Sequence, residues 1–93
     1  MKKIEKRHLA MVASLPCACC GQEGPSWVHH LRHSQGMAQR ASHYLTVPLC
    51  HPCHQGPLGC HGTKALMRIY KVSELDMLAA TIEKMVEKIE GLL

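Results

Sequence analysis

The segment YLTVPLCHPCH, residues 44–54, joins a β-rich run to a Cys-x-x-Cys-His motif. Its first half is rich in residues that favour strands, so we predict a strand there. Its second half places Cys50 and Cys53 where both thiolates can reach one tetrahedral ion from a single turn. The upstream segment CACCG contains a matching pair, Cys17 and Cys20. Two such pairs predict a closed four-cysteine zinc site, a type of site that contributes folding free energy.

The cysteines leave alternatives open. Cys19 can replace Cys17 or Cys20 as a ligand, but adjacent ligands are strained, so the prediction omits it. The six cysteines can also be buried free thiols or form disulfides. However, the first residues are basic and amphipathic, unlike a secretory signal, and Cys-x-x-Cys pairs mixed with histidines are typical of metal sites. We therefore predict metal binding in a reducing cytoplasm.

The composition is that of one small domain that needs a metal ion or disulfide bridges to stabilise its fold. The chain has 93 residues, and its six cysteines and eight histidines all lie between His8 and His61. A core of this size is marginal unless a metal or a bridge supports it. No apolar run approaches the roughly 20 residues of a membrane span, so we expect no membrane partner. The net charge of +4 comes from residues 1–63, the segment that contains the cysteines and histidines. This placement favours the binding of a polyanion near them.

Periodicity and capping signals predict an α+β fold in a single domain, residues 1–93. Its parts are an N-terminal helix (1–16), a metal-binding core (17–62) and two C-terminal helices (63–93). Within them we predict a helix over 2–15, strands over 26–31 and 44–50, a helix from a Thr63 cap to Tyr70, and a helix from Ser73-x-x-Asp76 to about Ile89. One stripe of the last helix is apolar and is most simply core, or with Leu92 and Leu93 a weak dimer contact: Leu75, Leu78, Ile82, Met85, Val86 and Ile89.

Two adjacent histidines end the first predicted strand. Consecutive side chains of a strand point to opposite faces, so His29 and His30 cannot both face a core. Antiparallel pairing with residues 45–49 would bring them close to His54. One of the pair can then bind a catalytic ion while the other faces away as a proton acceptor, since imidazole suits both roles.

A cysteine pair, His-His at a strand end and then Leu-Cys-x-x-Cys-His resemble the HNH endonucleases, which have a ββα-metal (His-Me finger) fold. The resemblance covers about residues 17–61. It implies that His29 and His54 are metal ligands and that His30 is the general base. Over most of residues 8–85 the chain is also similar to the RecA-dependent, Ref-type nucleases of bacteriophages and prophages. The motifs that carry this similarity are the Arg-Ala-Ser-His segment 40–43, TVPLC, and Gly-Cys-His-Gly before a helix.

The chain departs from the HNH motif at two positions. It contains no asparagine, so another group must hold His30, and we expect His43 or a backbone carbonyl to do so. The further ligand expected four residues after His54 would be Leu58, which cannot bind metal. His61 is the substitute, displaced by the Gly-Pro-Leu-Gly turn; otherwise it is a turn residue or joins Cys60 in a zinc shell.

The resemblance implies metal-dependent hydrolysis of DNA phosphodiester bonds in a bacterial or phage-infected cell, in recombination or DNA processing. The cofactors would be a structural Zn²⁺ and one catalytic divalent ion (Mg²⁺, Mn²⁺, Ni²⁺ or Zn²⁺). The partners would be DNA and a RecA-type recombinase filament, and the protein would be a monomer or weak homodimer. The residues expected to neutralise phosphates are Arg32, Arg40, Lys2 and Lys3. The alternatives are a non-catalytic zinc module that binds DNA or a recombinase, and a redox sensor, which would not explain the histidines.

Overall fold

The predicted α+β class is confirmed by a computed structural model, which describes residues 1–31 and 42–92. The described part contains a two-stranded sheet surrounded by helices. Its elements are α1 (Lys3–Ala13), β1 (Trp27–His30), β2 (Thr46–Leu49), α2 (His51–His54), α3 (Ala65–Ile69) and α4 (Glu74–Gly91). Among these helices, none is long and apolar enough to cross a membrane.

The two strands form the predicted antiparallel pair. Trp27 lies opposite Leu49 and His30 lies opposite Thr46. Every residue of β2 is buried, which fits its Thr, Val and Leu side chains. Pro48 is tolerated because the missing N–H would point to the same side as its carbonyl, away from β1, so the sheet loses no hydrogen bond. On that outer side its carbonyl oxygen accepts a hydrogen bond of 2.8 Å from the N–H of Ala18. This bond attaches the first cysteine pair to the sheet.

The cap predicted for one of the two C-terminal helices is present, and the cap predicted for the other is not. Ser73 caps α4 as predicted: its hydroxyl accepts from the Asp76 N–H at 3.0 Å, and the Asp76 carboxylate accepts from the Ser73 N–H at 2.9 Å. The prediction that Thr63 caps α3 is wrong. Lys64 holds that position, with a positive φ of 63°, and the Thr63 hydroxyl instead accepts from the Ala65 N–H at 3.3 Å.

The buried face of α4 is not the apolar stripe that the sequence predicts. Met77 is fully buried and Thr81 is 3% exposed, whereas Ile82 is 52% exposed and Leu75, Val86 and Ile89 are exposed to a similar degree. Met77 packs against the cysteines, Val47 and Leu49, so the helix turns this side toward the core. The assignment of the whole stripe to the core is therefore wrong, while the weak homodimer stays a prediction.

This orientation predicts different costs for truncations on the two faces of α4. We expect Met77→Ala to lower the free energy of unfolding by about 2–5 kcal/mol, because it leaves a cavity in the core. The matched substitution Ile82→Ala should cost less than about 1 kcal/mol, because its side chain is half exposed. Chemical denaturation of the zinc-loaded protein measures both. Equal costs, or a larger cost for Ile82, would contradict the observed orientation.

Candidate metal centres

The first cysteine pair lies in a tight turn fixed by backbone hydrogen bonds. The N–H of Cys17 donates to the Gln22 carbonyl at 2.8 Å, and the N–H of Gly21 donates to the Cys17 carbonyl at 2.9 Å. Gly21 has a φ of 83°, a backbone conformation that residues with a side chain rarely adopt, so glycine suits this position. The turn thereby directs the thiols of Cys17 and Cys20 to the same side.

The second pair completes a four-cysteine cluster. Cys50 precedes α2 and Cys53 lies within it, so one short helical turn presents both sulfurs. The four sulfurs lie within 4.8 Å of one another, and the Cys20 and Cys50 sulfurs are 3.6 Å apart. Zinc–sulfur bonds of about 2.3 Å in a tetrahedron separate the sulfurs by about 3.8 Å. The four cysteines can therefore hold a metal ion such as zinc.

The protonation of these thiols differs with their surroundings. Burial alone would raise the pKa of Cys17, but backbone N–H groups, the first of them from Cys20, lower it to about 7. Burial raises the pKa of Cys50. Burial is also the main cause of the raised pKa of Cys53, and the thiol of Cys50 is the second cause. A metal ion would therefore have to displace protons from the last two, as expected where several thiolates converge.

The two remaining cysteines lie outside this cluster. Cys19 is buried and does not belong to the set of four converging sulfurs. The thiol of Cys60 points to the Met67 sulfur at 3.4 Å, and burial raises its pKa to about 11. A shell formed by Cys60 with His61 is thus not the arrangement observed, because His61 turns to other histidines.

A second cluster contains His29, His54 and His61, whose candidate ligand nitrogens lie within 4.8 Å of one another. The strand β1 turns His29 inward, where it is 2% exposed, and α2 ends on His54. The N–H of His61 donates to the His54 carbonyl at 3.0 Å, and the Nε2 atoms of these two rings are 3.0 Å apart. His61 itself is exposed, so the cluster is open to solvent on one side.

The loop between His54 and His61 requires glycine at its closest approach. A Cβ at Gly59 would lie 2.6 Å from the Pro52 carbonyl oxygen and 2.7 Å from the backbone of Cys53. Only a residue without a side chain allows the loop to fold back onto α2 in this way. The Gly-Pro-Leu-Gly turn thus returns His61 to the ring of His54.

The donor set of this second cluster suits a transition metal. Three imidazoles suit zinc or nickel better than they suit magnesium, which prefers oxygen ligands. Within residues 1–31 and 42–92, the buried Nδ1 of His54 has no hydrogen-bond partner, while Nε2 of the same ring contacts Nε2 of His61. Burial, and then His61, lowers the pKa of His54, which favours the neutral form that a ligand needs.

His30 faces away from this cluster and contacts a histidine of the turn just before β2. Its Nε2 lies 3.1 Å from Nδ1 of His43, whose carbonyl accepts from the Thr46 hydroxyl at 3.0 Å. The contact expected from His43 is therefore present. The ring of His30 is half-buried. This burial, and then His43, lowers the pKa of His30, which favours the neutral form.

The predicted phosphate-binding residues are only partly described. Lys2 and Lys3 are exposed at the start of α1. Arg32 and Arg40 lie outside the described residues, as does His33, so their placement stays a prediction. Both clusters and the His30–His43 contact involve described residues alone.

A protein-family model described as "Protein of unknown function (DUF968)" matches residues 1–86. The chain belongs to this family. No curated protein and no solved structure matches it. The range that matches the DUF968 model contains both clusters.

One neighbour of the histidine cluster was missed by sequence reasoning. Glu74, the first residue of α4, has an oxygen 4.0 Å from Nε2 of His29. In the sequence this residue looks like an ordinary acidic group in the first turn of a helix, where the helix dipole favours it. No local signal in the DUF968 chain indicates that it lies beside a histidine far upstream.

Proposed function

We propose that this DUF968 protein is a metal-dependent DNA endonuclease of the HNH type. The observation that carries the proposal is the placement of His30 beside a three-histidine cluster, on the opposite face of the same strand. A structural zinc module has no need for a second cluster of three convergent imidazoles, nor for a half-buried neutral histidine next to it. A one-metal nuclease of the HNH type uses both, the cluster for the ion and the histidine as the base.

The order of elements supports the same proposal. β1, β2 and α2 follow one another, and they present His29 and His30 from one strand and His54 from the helix. This is the order in which a ββα-metal core presents its groups. Cys50 precedes the same helix and Cys53 lies within it, so a zinc-bound four-cysteine site would hold His54 in a fixed position relative to β2.

His30 is the proposed general base. When its Nε2–H donates to Nδ1 of His43, the lone pair of His30 lies on Nδ1, free to accept a proton from water. His43 thus fixes the tautomer and the orientation of the His30 ring, and the Thr46 hydroxyl holds the backbone of His43. In this role His43 replaces the asparagine that the chain lacks.

The three-histidine cluster would hold the divalent ion. Bound there by His29, His54 and His61, the ion would supply Lewis-acid stabilisation of the phosphate and of the leaving oxygen. His61 lies on the exposed side, where a DNA strand can approach. The basic N-terminal part, with Lys2 and Lys3 and the arginines at 32 and 40, would bind neighbouring phosphates without reading sequence. A role in phage recombination beside a recombinase filament belongs to the same proposal.

The second candidate is a zinc-binding module that contacts DNA or a recombinase without cutting. It is favoured by one observation, the four-cysteine cluster, which is complete without the histidines. This candidate predicts DNA binding that depends on zinc and on salt but not on His29, His54 or His61. The histidine cluster is thus the feature that separates the two functions.

The test is cleavage of supercoiled plasmid and single-stranded DNA by protein that carries Zn²⁺ in the four-cysteine site alone, with no further ion or with Mg²⁺, Mn²⁺, Ni²⁺ or further Zn²⁺. DNA binding is measured in parallel by gel shift. We expect cleavage only after the ion is added, and loss of cleavage in His54→Ala with binding retained. Binding without cleavage under every ion, and also with a recombinase filament, would favour the zinc module instead.

A further inference from the structure

Glu74 lies on the side of α4 that packs against the core. It precedes Met77 by three positions and Thr81 by seven, and residues at these spacings share one helix face. Met77 is fully buried and Thr81 nearly so. The first turn of α4 is fixed by the reciprocal Ser73–Asp76 cap. The carboxylate of Glu74 therefore points inward because the packing of its helix places it there.

The burial of Glu74 is unusual for a charge on this helix. Its side chain is 16% exposed, whereas Lys84 and Glu87 on the same helix are 60% and 59% exposed. Taking a carboxylate out of water costs free energy unless a partner compensates it. A favourable interaction with the helix dipole does not require burial, so the dipole alone does not account for this position.

The neighbour of Glu74 is a residue of the histidine cluster. Its Oε2 lies 4.0 Å from Nε2 of His29, which is 2% exposed. The set of nitrogens within 4.8 Å of one another comprises the three histidines, and Glu74 lies beside that set rather than within it. Histidines that bind metal usually donate their other ring N–H to a carboxylate, which fixes the tautomer and raises the basicity of the ligand.

We propose that Glu74 is the positioning residue of the histidine metal centre, accepting the Nε2–H of His29 and leaving Nδ1 of His29 to bind the ion. A movement of about 1 Å closes the observed separation to a hydrogen bond. This inference rests on the proposed function, since it requires an ion in the histidine cluster.

The test is a titration with Co²⁺ of protein whose four-cysteine site is already loaded with Zn²⁺, followed by visible absorption. We expect Glu74→Ala to weaken Co²⁺ binding by about 10- to 100-fold. Glu74→Gln should have a smaller effect, because its amide oxygen can accept the same hydrogen bond without the charge. The matched control is Glu83→Gln, an exposed carboxylate of the same helix, which should bind within twofold of the wild type.

A double-mutant cycle distinguishes positioning from direct ligation. In a His29→Ala background, Glu74→Ala should change Co²⁺ affinity by less than twofold, because the residue through which Glu74 acts is absent. A full effect in that background would make Glu74 a ligand itself and overturn the assignment. Co²⁺ binding by Glu74→Ala within twofold of the wild type would overturn it as well, leaving the nuclease proposal intact. If the wild type binds no second ion, the proposed function fails and this inference fails with it.

Discussion

His30→Ala is expected to slow DNA cleavage by about 100- to 10,000-fold, the usual contribution of a general base. The substitution removes the ring nitrogen that would accept the proton of water and leaves both metal clusters untouched. His30 is half-buried and its ring contacts His43, so its loss removes a contact at the surface of the sheet rather than part of the core. The fold and the bound zinc should therefore remain.

The measurement is the rate of plasmid nicking under saturating ion, with zinc content and the melting temperature recorded on the same samples. His51→Ala is the matched control, since it removes an exposed imidazole of α2 that belongs to neither cluster. It should cleave within about threefold of the wild type. If His30→Ala cleaves as fast as His51→Ala, His30 is not the base.

Cys53→Ser is expected to unfold the domain. A structural zinc site has an apparent binding free energy of about 10–16 kcal/mol, whereas a domain of ordinary stability unfolds at a cost of about 5–15 kcal/mol. Cys53 is buried at the start of α2, and its sulfur belongs to the core as well as to the cluster. Loss of one thiolate therefore weakens the metal site and places a hydroxyl in an apolar environment.

The matched control for this prediction is Cys19→Ser. Cys19 is also buried and belongs to the same core, but it lies outside the four-cysteine set. We expect Cys19→Ser to keep one zinc per chain and a cooperative thermal transition, and Cys53→Ser to lose both; zinc analysis and far-UV circular dichroism measure them. Retention of stoichiometric zinc by Cys53→Ser would show that the cluster is not a zinc site of this type.

The features that could be predicted from the sequence are those set by short spacings. Cys-x-x-Cys brings two sulfurs to one side of a turn whatever the rest of the chain does, and Ser73 with Asp76 forms a cap from four consecutive residues. The alternation of side chains along a strand likewise separates His29 from His30. Local geometry of this kind depends little on the remainder of the fold.

The features that could not be predicted depend on how distant elements dock. The most apolar stripe of α4 pointed to Ile82 as core, yet the helix packs through Met77, because the small sheet and cysteine core contact only one side of a long helix. That rotation also decides that Glu74 faces His29. The Thr63 cap failed for a related reason, since the loop from Gly59 folds back onto α2 and places Lys64 at the helix start.

The measurement that tests the central claim most directly is the rate of plasmid nicking as a divalent ion is titrated into zinc-loaded protein, with the bound ion counted in the same samples. If the three-histidine cluster is the catalytic centre, the rate rises with occupancy and reaches its plateau at one added ion per chain. Cleavage while the histidine cluster is empty, or an occupied histidine cluster that cuts no DNA, would contradict the proposal.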